Sequence, residues 1–527
     1  MVRRPIFSRL TGIILLILSL ACNLPALGGS RFSSPGGEVH SSPVPFPTAF
    51  SGGSAGAIGA APLPGAGNQP GQPFAGLTQA VPGNVPPLRS ADPPGSLLQY
   101  LTQPGDTLAA LSLRFAVQLP GSSLPAGTSP EALLPAGIPL TLPSPSVETL
   151  PALALLPDSE VIYGPPAAAF DLQAFINASG GYLSTFRETI DGEEMSGAQI
   201  VRRIALETSI NPRLLLAVLE WRSGWVTGSP RNPDPDYPIG FGAPSHRGLY
   251  RELALVTRLL TQAYYGWRSG TFSKIEFLDG TTLPPHPALN AGSVAVQNLT
   301  ARLNSPVDWP TAVYGENGLL AVYDALFGDP WKRAAQYEPL FPPDLSQTQP
   351  HWELPFAPGE VWSFTGGPHM AWGIGSPAGA LDFAPADEAK GCTPSVRWAT
   401  AAADGVVVRS ERGLLVLDVD GDGYEQTGWS LLYLHLANEG RLSVGTRVKQ
   451  GEPLGHPSCE GGPATGRHVH IVRKYHGEWI GAGAILPFIL SGWLVKAGEL
   501  PYQGQLLKEG QVIEARPDGS APARIVR

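Results

Sequence analysis

At 527 residues the chain exceeds what one hydrophobic core can organise, so roughly three or four modules are expected. Its net charge of −9 and pI near 5.6 exclude a broadly cationic surface, and no nucleic acid is expected as a partner. The 63 glycines and 56 prolines approach the composition of disordered chains, but their excess is concentrated before residue 95.

Residues 1–21 read as an export signal. Arg3, Arg4 and Arg9 form a basic start, and Ile13 to Leu20 an apolar core too short to span a bilayer. The following Ser19-Leu20-Ala21-Cys22 resembles the lipobox of bacterial lipoproteins. That resemblance implies an acylated Cys22 and the membrane as a partner, with the protein extracytoplasmic and anchored. Ser19 stands where that family has an aliphatic residue, and a plain secretory signal is the other reading. Residues 22–95 are rich in Pro, Gly, Ser and Ala with no persistent apolar period, and read as a disordered tether.

Residues 96–145 read as a small α/β module. Tyr100 to Leu108 gives a strand, a Pro104-Gly105 turn and a helix start capped by Asp106, with Leu108, Leu111 and Phe115 on one helical face. With the closing Leu134 to Pro143 stretch it resembles a LysM domain, which implies binding of N-acetylglucosamine-containing glycan. The middle, Leu119 to Pro130, is proline-rich where that family has a second helix, and a spacer of the same fold is equally compatible.

Residues 160–345 read as all-helical. Ser196 starts one helix; Asn211 caps the next, with Pro212 in its first position; Leu249 to Trp267 and Ser293 to Leu303 give two more. The run Ile210 to Gly224 resembles the acid-bearing helix of lytic transglycosylases and lysozyme-like enzymes. In that family a Glu-Ser pair carries the general acid, but here Arg222 precedes Ser223 and Glu220 comes two residues early. A guanidinium cannot protonate a glycosidic oxygen. The module therefore reads as lysozyme-like in fold, without glycosidase activity.

Residues 350–500 shift to glycine and β-formers, and read as a mainly antiparallel β domain with strands at Val406–Val408, Gly413–Val419, Gly428–Leu436 and Val469–Lys474. Asp418 to Gly423 starts like a calcium loop, but Trp429 stands where the closing glutamate belongs, so it reads as a polar turn. The domain centres on Gly466-Arg467-His468-Val469-His470, where two histidines at i and i+2 face one groove. Upstream lie His369 after Gly366-Gly367-Pro368, Asp382, and His435. The order resembles the zinc endopeptidases of the lysostaphin and β-lytic group, over about Trp362 to Trp479. The long gap from His369 to Asp382 fits the β-lytic and staphylolytic branch. The resemblance implies Zn2+ held by His369, Asp382 and His470, with His435 and His468 as catalytic acid and base in an order left open. It also implies peptide bonds of bacterial peptidoglycan as substrate, and peptidoglycan peptide and glycan as partners. A catalytically silent wall-binding or hydrolase-activating protein is the alternative.

Residues 501–527 read as a polar tail without assigned chemistry. Export places Cys392 and Cys459 in an oxidising compartment, and with Cys22 set aside for lipid these two are expected to pair. The fold class expected is thus multidomain: a LysM-like α/β module, an all-α lysozyme-like domain and a mainly antiparallel β peptidase domain.

Overall fold

Two short strands, Leu97–Leu101 and Pro139–Pro143, open the ordered architecture, paired antiparallel with Tyr100 opposite Leu140. The structure is a computed structural model that describes residues 74–527, apart from 75, 91, 94, 120–131, 232–233, 343, 387, 389 and 484–485. The export signal, Cys22 and the expected tether up to residue 73 lie outside the described residues, and the rest of that expectation is corrected: Phe74, Leu77, Ala80 and Leu88 pack on the helical core, and Gln79 and Ser90 bridge to Ala154 and Thr149. Residues Pro73–Arg527 make one compact unit.

Between the two strands runs the helix Leu108–Arg114, and Leu108, Leu111 and Phe115 bury with Tyr100 and Leu140 in a small core. The expected cap is corrected by one residue. Thr107 caps the helix, accepting the Ala110 N–H, while Asp106 is buried against Arg114 and the Tyr100 hydroxyl. A carboxylate enclosed by an aromatic ring needs a cation more than it needs a helix N–H.

The helical part is corrected from all-helical: after the helices Asp158–Val161, Pro165–Ala168 and Leu172–Ser179, a hairpin, Arg187–Ile190 with Glu193–Ser196, feeds the helix Gly197–Thr208, and Ile275–Glu276 pairs with Thr282–Leu283 further on. Ser196 and Gln199 close a reciprocal capping box at its start. Asn211 caps Pro212–Ser223 with Pro212 in the first turn, and the helices Leu249–Ser269 and Ala291–Arg302 pack behind it. Glu220 lies near the end of its helix, with its carboxylate committed. It accepts the N–H groups of Val226 and Thr227 and the Thr227 hydroxyl, and pairs with Arg231. Such a group holds a loop and has no oxygen left for acid chemistry.

The β domain is a nine-stranded antiparallel sheet. Its order runs Arg447–Val448, Gly405–Glu411, Leu414–Asp418, Trp429–Leu434, Val469–Tyr475, Ala378–Pro385, Val361–Met370, Arg524–Val526. The ninth strand, Glu478–Trp479, folds back onto Val469–Tyr475. The Asp418 stretch forms a polar turn, its carboxylate accepting the N–H groups of Gly421 and Gly423.

Alternation assigns the two faces of the sheet. Leu415, Leu417, Leu431, Tyr433, Ile471 and Phe383 bury in the domain's own core. Leu414, Val416, Leu432, Val472, Ala380 and Trp479 join the core of the helical part, so the helices cover that face. Residues 501–527 do not form a tail. Gly504–Lys508 and Gln511–Glu514 complete a four-stranded sheet with Ile489–Leu490 and Trp493–Ala497, and Arg524–Val526 extends the main sheet.

One buried ionic triad sits at the other end of the strand that carries His470. Glu425 receives Arg409 at 2.7 Å and Lys474 at 2.8 Å, and all three side chains are nearly inaccessible. Burial opposes ionisation of Glu425, but Arg409 and Lys474 outweigh it and hold the carboxyl at about 2. Glu425→Ala strands two buried cations and should cost about 3–5 kcal/mol in urea unfolding at neutral pH. Because the folded value lies below the ordinary 4.5, wild type should lose this contribution as pH falls from 4.5 through about 2. A variant within 1 kcal/mol of wild type, ~ the range of a surface substitution, would mean the triad relaxes into water.

Candidate metal centre

Strand pairing sets His470 directly opposite Asp382, with Gly366 opposite Asp382 on the other side. His470 lies two residues from Val472, and Asp382 two from Ala380, so both side chains rise from the face that the helices cover. His369 lies at the irregular end of its strand, opposite Ala380, where two register shifts swing it toward them. The three residues thereby bring one ligand atom each within 4.8 Å of the others.

The surrounding carbonyls fix the tautomers, because a carbonyl oxygen only accepts. His369 Nδ1 lies 2.8 Å from Gly367 O and donates to it, leaving Nε2 bare. His470 Nε2 lies 3.2 Å from Ala371 O and donates to it, leaving Nδ1 bare. The two bare nitrogens stand 3.1 Å apart, each 3.4 Å from Asp382 Oδ1. That oxygen is buried without a hydrogen-bond partner. Three acceptors facing one another with no hydrogen among them repel unless a cation lies between. Their separations match the edges of about 3.3 Å expected of a tetrahedron with ligand bonds of about 2.0–2.1 Å. The residues fit a divalent metal of the zinc type.

His435 and His468 flank this cluster, their rings 4.4 Å apart. Each is locked in the same way: His435 Nδ1 donates to Glu460 O at 2.8 Å, and His468 Nδ1 to Gly466 O at 2.8 Å. Their Nε2 atoms are left for chemistry, and that of His468 lies 3.6 Å from Asp382 Oδ1. His435 leaves its strand with φ of +65°, a left-handed backbone that turns its ring back over the groove.

Electrostatics follow from this enclosure. Burial resists ionisation of Asp382, but His369, His468 and His470 hold its carboxyl well below the usual carboxylate range. Burial, aided by His468 and His470, pushes His435 down to about 3, so it is neutral at physiological pH. His369 is likewise lowered, by burial acting against the pull of Asp382.

The structure brings all five residues singled out in the sequence to one place. It adds two supports. Cys392 and Cys459 are joined, their Cα atoms 5.2 Å apart, as the sequence led us to expect. The residue after Cys459 is Glu460, which holds His435, and the residue before Cys392 is Gly391, whose carbonyl accepts the N–H of Arg467 beside His468. The bridge thus ties together the loops that orient both flanking histidines. The second support is Tyr502, whose ring stacks on His369 at 4.1 Å and 17°. It is anchored to the His369 strand through Gly367 N–H to Tyr502 O at 2.9 Å. Nothing local to Tyr502 marks it, since its role depends on a hairpin far along the chain.

By homology this chain is a peptidase. The relative that carries this is Protease LasA of Pseudomonas aeruginosa, in strains PAO1 and UCBPP-PA14. The two are 28% identical over 357 residues, 63% of this chain and 76% of the relative. A family model described as "LasA, N-terminal domain" matches residues 154–342. Among solved structures, the M23 metalloprotease pseudoalterin from the deep sea is 23% identical. It aligns with 34% of this chain and 100% of its own, at a TM-score of 0.29. The catalytic domain of the antimicrobial peptidase lysostaphin from Staphylococcus simulans is 22% identical over 23% of this chain and 86% of its own, at a TM-score of 0.17.

Gly366 is the position where the cluster tolerates least. A Cβ there would lie 2.5 Å from Asp382 Oδ2. Gly366→Ala should displace that carboxylate and weaken zinc binding by about 10–100-fold, the usual effect of disturbing a ligand's support. Competition with a chelating dye measures it, and unchanged affinity would mean that Asp382 is not a ligand or shifts without loss.

Proposed function

We propose that this chain is a zinc-dependent endopeptidase that hydrolyses peptide bonds of bacterial peptidoglycan outside the cytoplasm. The observation that carries the reading is the meeting of His369 Nε2, His470 Nδ1 and the orphaned Asp382 Oδ1 with no hydrogen among them. Two neutral imidazoles and a carboxylate are a donor set of hydrolytic zinc sites, which keep a fourth position open. Zinc held there supplies Lewis acidity, lowering the pKa of water to about 7 and polarising the scissile carbonyl.

The chain's own groups move the protons. With Nδ1 of His435 and His468 tied to carbonyls, both Nε2 atoms face the groove. One accepts the proton of the attacking water, and the other, protonated, delivers one to the leaving amine. His435 is kept neutral by its burial and so is in the accepting form at neutral pH. Tyr502 stacks on the face of the His369 ring while Gly367 O holds its Nδ1, and together they restrict its rotation. Peptidoglycan as substrate is supported by the resemblance of the His369, Asp382, His435 and His468-Val469-His470 motifs to the lysostaphin and β-lytic group. The 96–145 module, LysM-like in its strand, helix, strand order, serves in this reading to hold glycan. The helical module contributes no glycosidase, since its Glu220 is consumed by Val226 and Thr227.

In the purified full chain, His369→Ala, Asp382→Ala and His470→Ala should each lose zinc and activity. His435→Ala and His468→Ala should keep zinc while kcat falls by about 10²–10⁴. Amines released from several peptidoglycans, followed by mass spectrometry with and without chelator, check both. Zinc binding with no turnover on any wall would replace this reading with that of a wall-binding or activator protein.

We further propose that Cys22 is acylated and tethers the enzyme outside the membrane through the stretch that precedes the compact unit at Pro73. Labelled palmitate should enter the wild-type chain, and Cys22→Ala should be unlabelled and released to the medium. Wild type that is exported without label would identify a plain secretory signal.

A further inference from the structure

Arg268, near the end of the long helix Leu249–Ser269, stands where three parts of the chain meet. Its guanidinium contacts the carbonyl of Pro104 in the small module. It also reaches Asp158 at 3.0 Å in the helical part and Glu478 at 3.2 Å on the main sheet. Tyr264, one turn earlier, donates its hydroxyl to Glu478 at 2.8 Å. Glu338 closes the group from the far side. Its carboxylate is turned inward onto the N–H groups of Ser159 and Leu340, at 3.1 and 3.2 Å, beside Asp158.

The charge inventory of this seam does not balance. Asp158 and Glu478 share the Arg268 guanidinium, and among the described residues no cation pairs with Glu338. The nearest other cation, Arg114, is bound to Asp106. Tyr264 and Tyr265 face Glu478 and stay neutral, because burial raises both phenols well above their ordinary range. Fully ionised, the seam carries a buried excess of two negative charges. Such an excess destabilises the contact that encloses it.

Beside the apolar packing of the sheet face on the helices, the seam has further polar contacts. Ser209 donates to Gly477 O, Trp479 N–H reaches the Tyr265 hydroxyl at 3.0 Å, and Trp479 Nε1 reaches Thr208 O at 3.4 Å. What the seam governs is larger, because the helices cover the sheet face from which Asp382 and His470 rise. The loop between the His369 and Asp382 strands also leans on the long helix, where a Cβ at Gly375 would lie 2.8 Å from Thr261 and from Gln262. Ala371 of that loop holds His470.

We propose that the Arg268 seam is a pH-dependent latch: the cluster of Asp158, Glu338 and Glu478 around one guanidinium keeps the helical module seated on the metal-site face while Glu478 and Glu338 carry protons, and their ionisation loosens that seating. The consequence for substrate rests on the peptidase reading above, whereas the latch does not. Burial first, and Asp158 second, push Glu338 up to about 7; burial, which Arg268 and the Tyr264 hydroxyl offset only in part and to which Asp158 adds, leaves Glu478 at about 7. Both lie above their ordinary 4.5. Their contribution to the seated state is therefore complete below pH 4.5 and is lost as pH rises through about 7.

Hydrogen–deuterium exchange of the full chain, corrected for the pH dependence of intrinsic exchange, tests this without reference to activity. Between about pH 5.5 and pH 8.5, protection of the 475–480 segment should fall by about tenfold or more, while the Leu414–Asp418 strand holds. Glu478→Gln should keep the segment protected at both pH values. If that variant fails to fold, Glu338→Gln, which leaves the sheet untouched, should reduce the drop. Protection independent of pH in wild type, or an undiminished drop in the variants, would overturn the latch. Loss of peptidase activity in all forms, with the exchange pattern intact, would instead overturn the functional reading alone.

Discussion

Everything in the β domain is arranged around an unsatisfied carboxylate oxygen. Asp382 Oδ1 is buried with no donor, facing two imidazole nitrogens whose own hydrogens are already committed to Gly367 and Ala371. An orphaned buried acceptor costs on the order of 1–3 kcal/mol, more for a charged one. Without a cation the fold would gain by letting these side chains drift apart. The neighbouring backbone prevents it: Gly366 supplies the only width that admits the carboxylate, and register pins His470 across from it. Preorganisation of this kind stores unfavourable energy in the empty site and returns it as affinity when a metal binds.

The flanking histidines are held by a different device. Neither belongs to a strand interior; His435 follows one and His468 precedes one. Loops of that kind are mobile unless tied. Here the Cys392–Cys459 bridge closes a sequence separation of 67 residues and lands beside Glu460 and Gly391, the residues that orient His435 and the backbone next to His468. Chain-entropy arguments give such a closure on the order of 4 kcal/mol at most. Its more specific effect is on geometry: acid–base groups work only within hydrogen-bond reach of the reacting atoms.

Much of this centre was legible in the sequence because its signals are local. The apolar, β-forming run Val469 to Val472 announces a strand, and HxH on a strand announces two side chains in one groove. Export plus two spare cysteines announces a bridge. The helix starts at Ser196 and Asn211 were equally plain, since capping chemistry acts within three residues. What could not be read depends on distant pairing. Tyr502 reaches His369 only because Trp493–Ala497 and Gly504–Lys508 form a hairpin whose turn docks on Gly367 and Pro368. The 501–527 stretch looked like a tail because each of its strands is short and half exposed, and only the existing sheet edges make it fold. The cap at Thr107 was misplaced by one residue because Arg114, a turn and a half away, claims Asp106.

The two faces of the main sheet divide the labour unequally. One is sealed by the domain's own core and never needs to open. The other carries His470 and Asp382 of the candidate metal centre and is also where the helices find their apolar partners in Ala380, Val472 and Leu432. A face cannot be both a packing surface and a substrate groove along its whole length. Trp479 and the short strand that bears it lie at the packed end, and His369 and Tyr502 at the other, so the boundary between the two uses falls near Ala371 and Gly375. The loop 371–377 stands on that boundary, touching helix on one side and His470 on the other. A shift in the seating of the helices therefore reaches His470 through one carbonyl, that of Ala371.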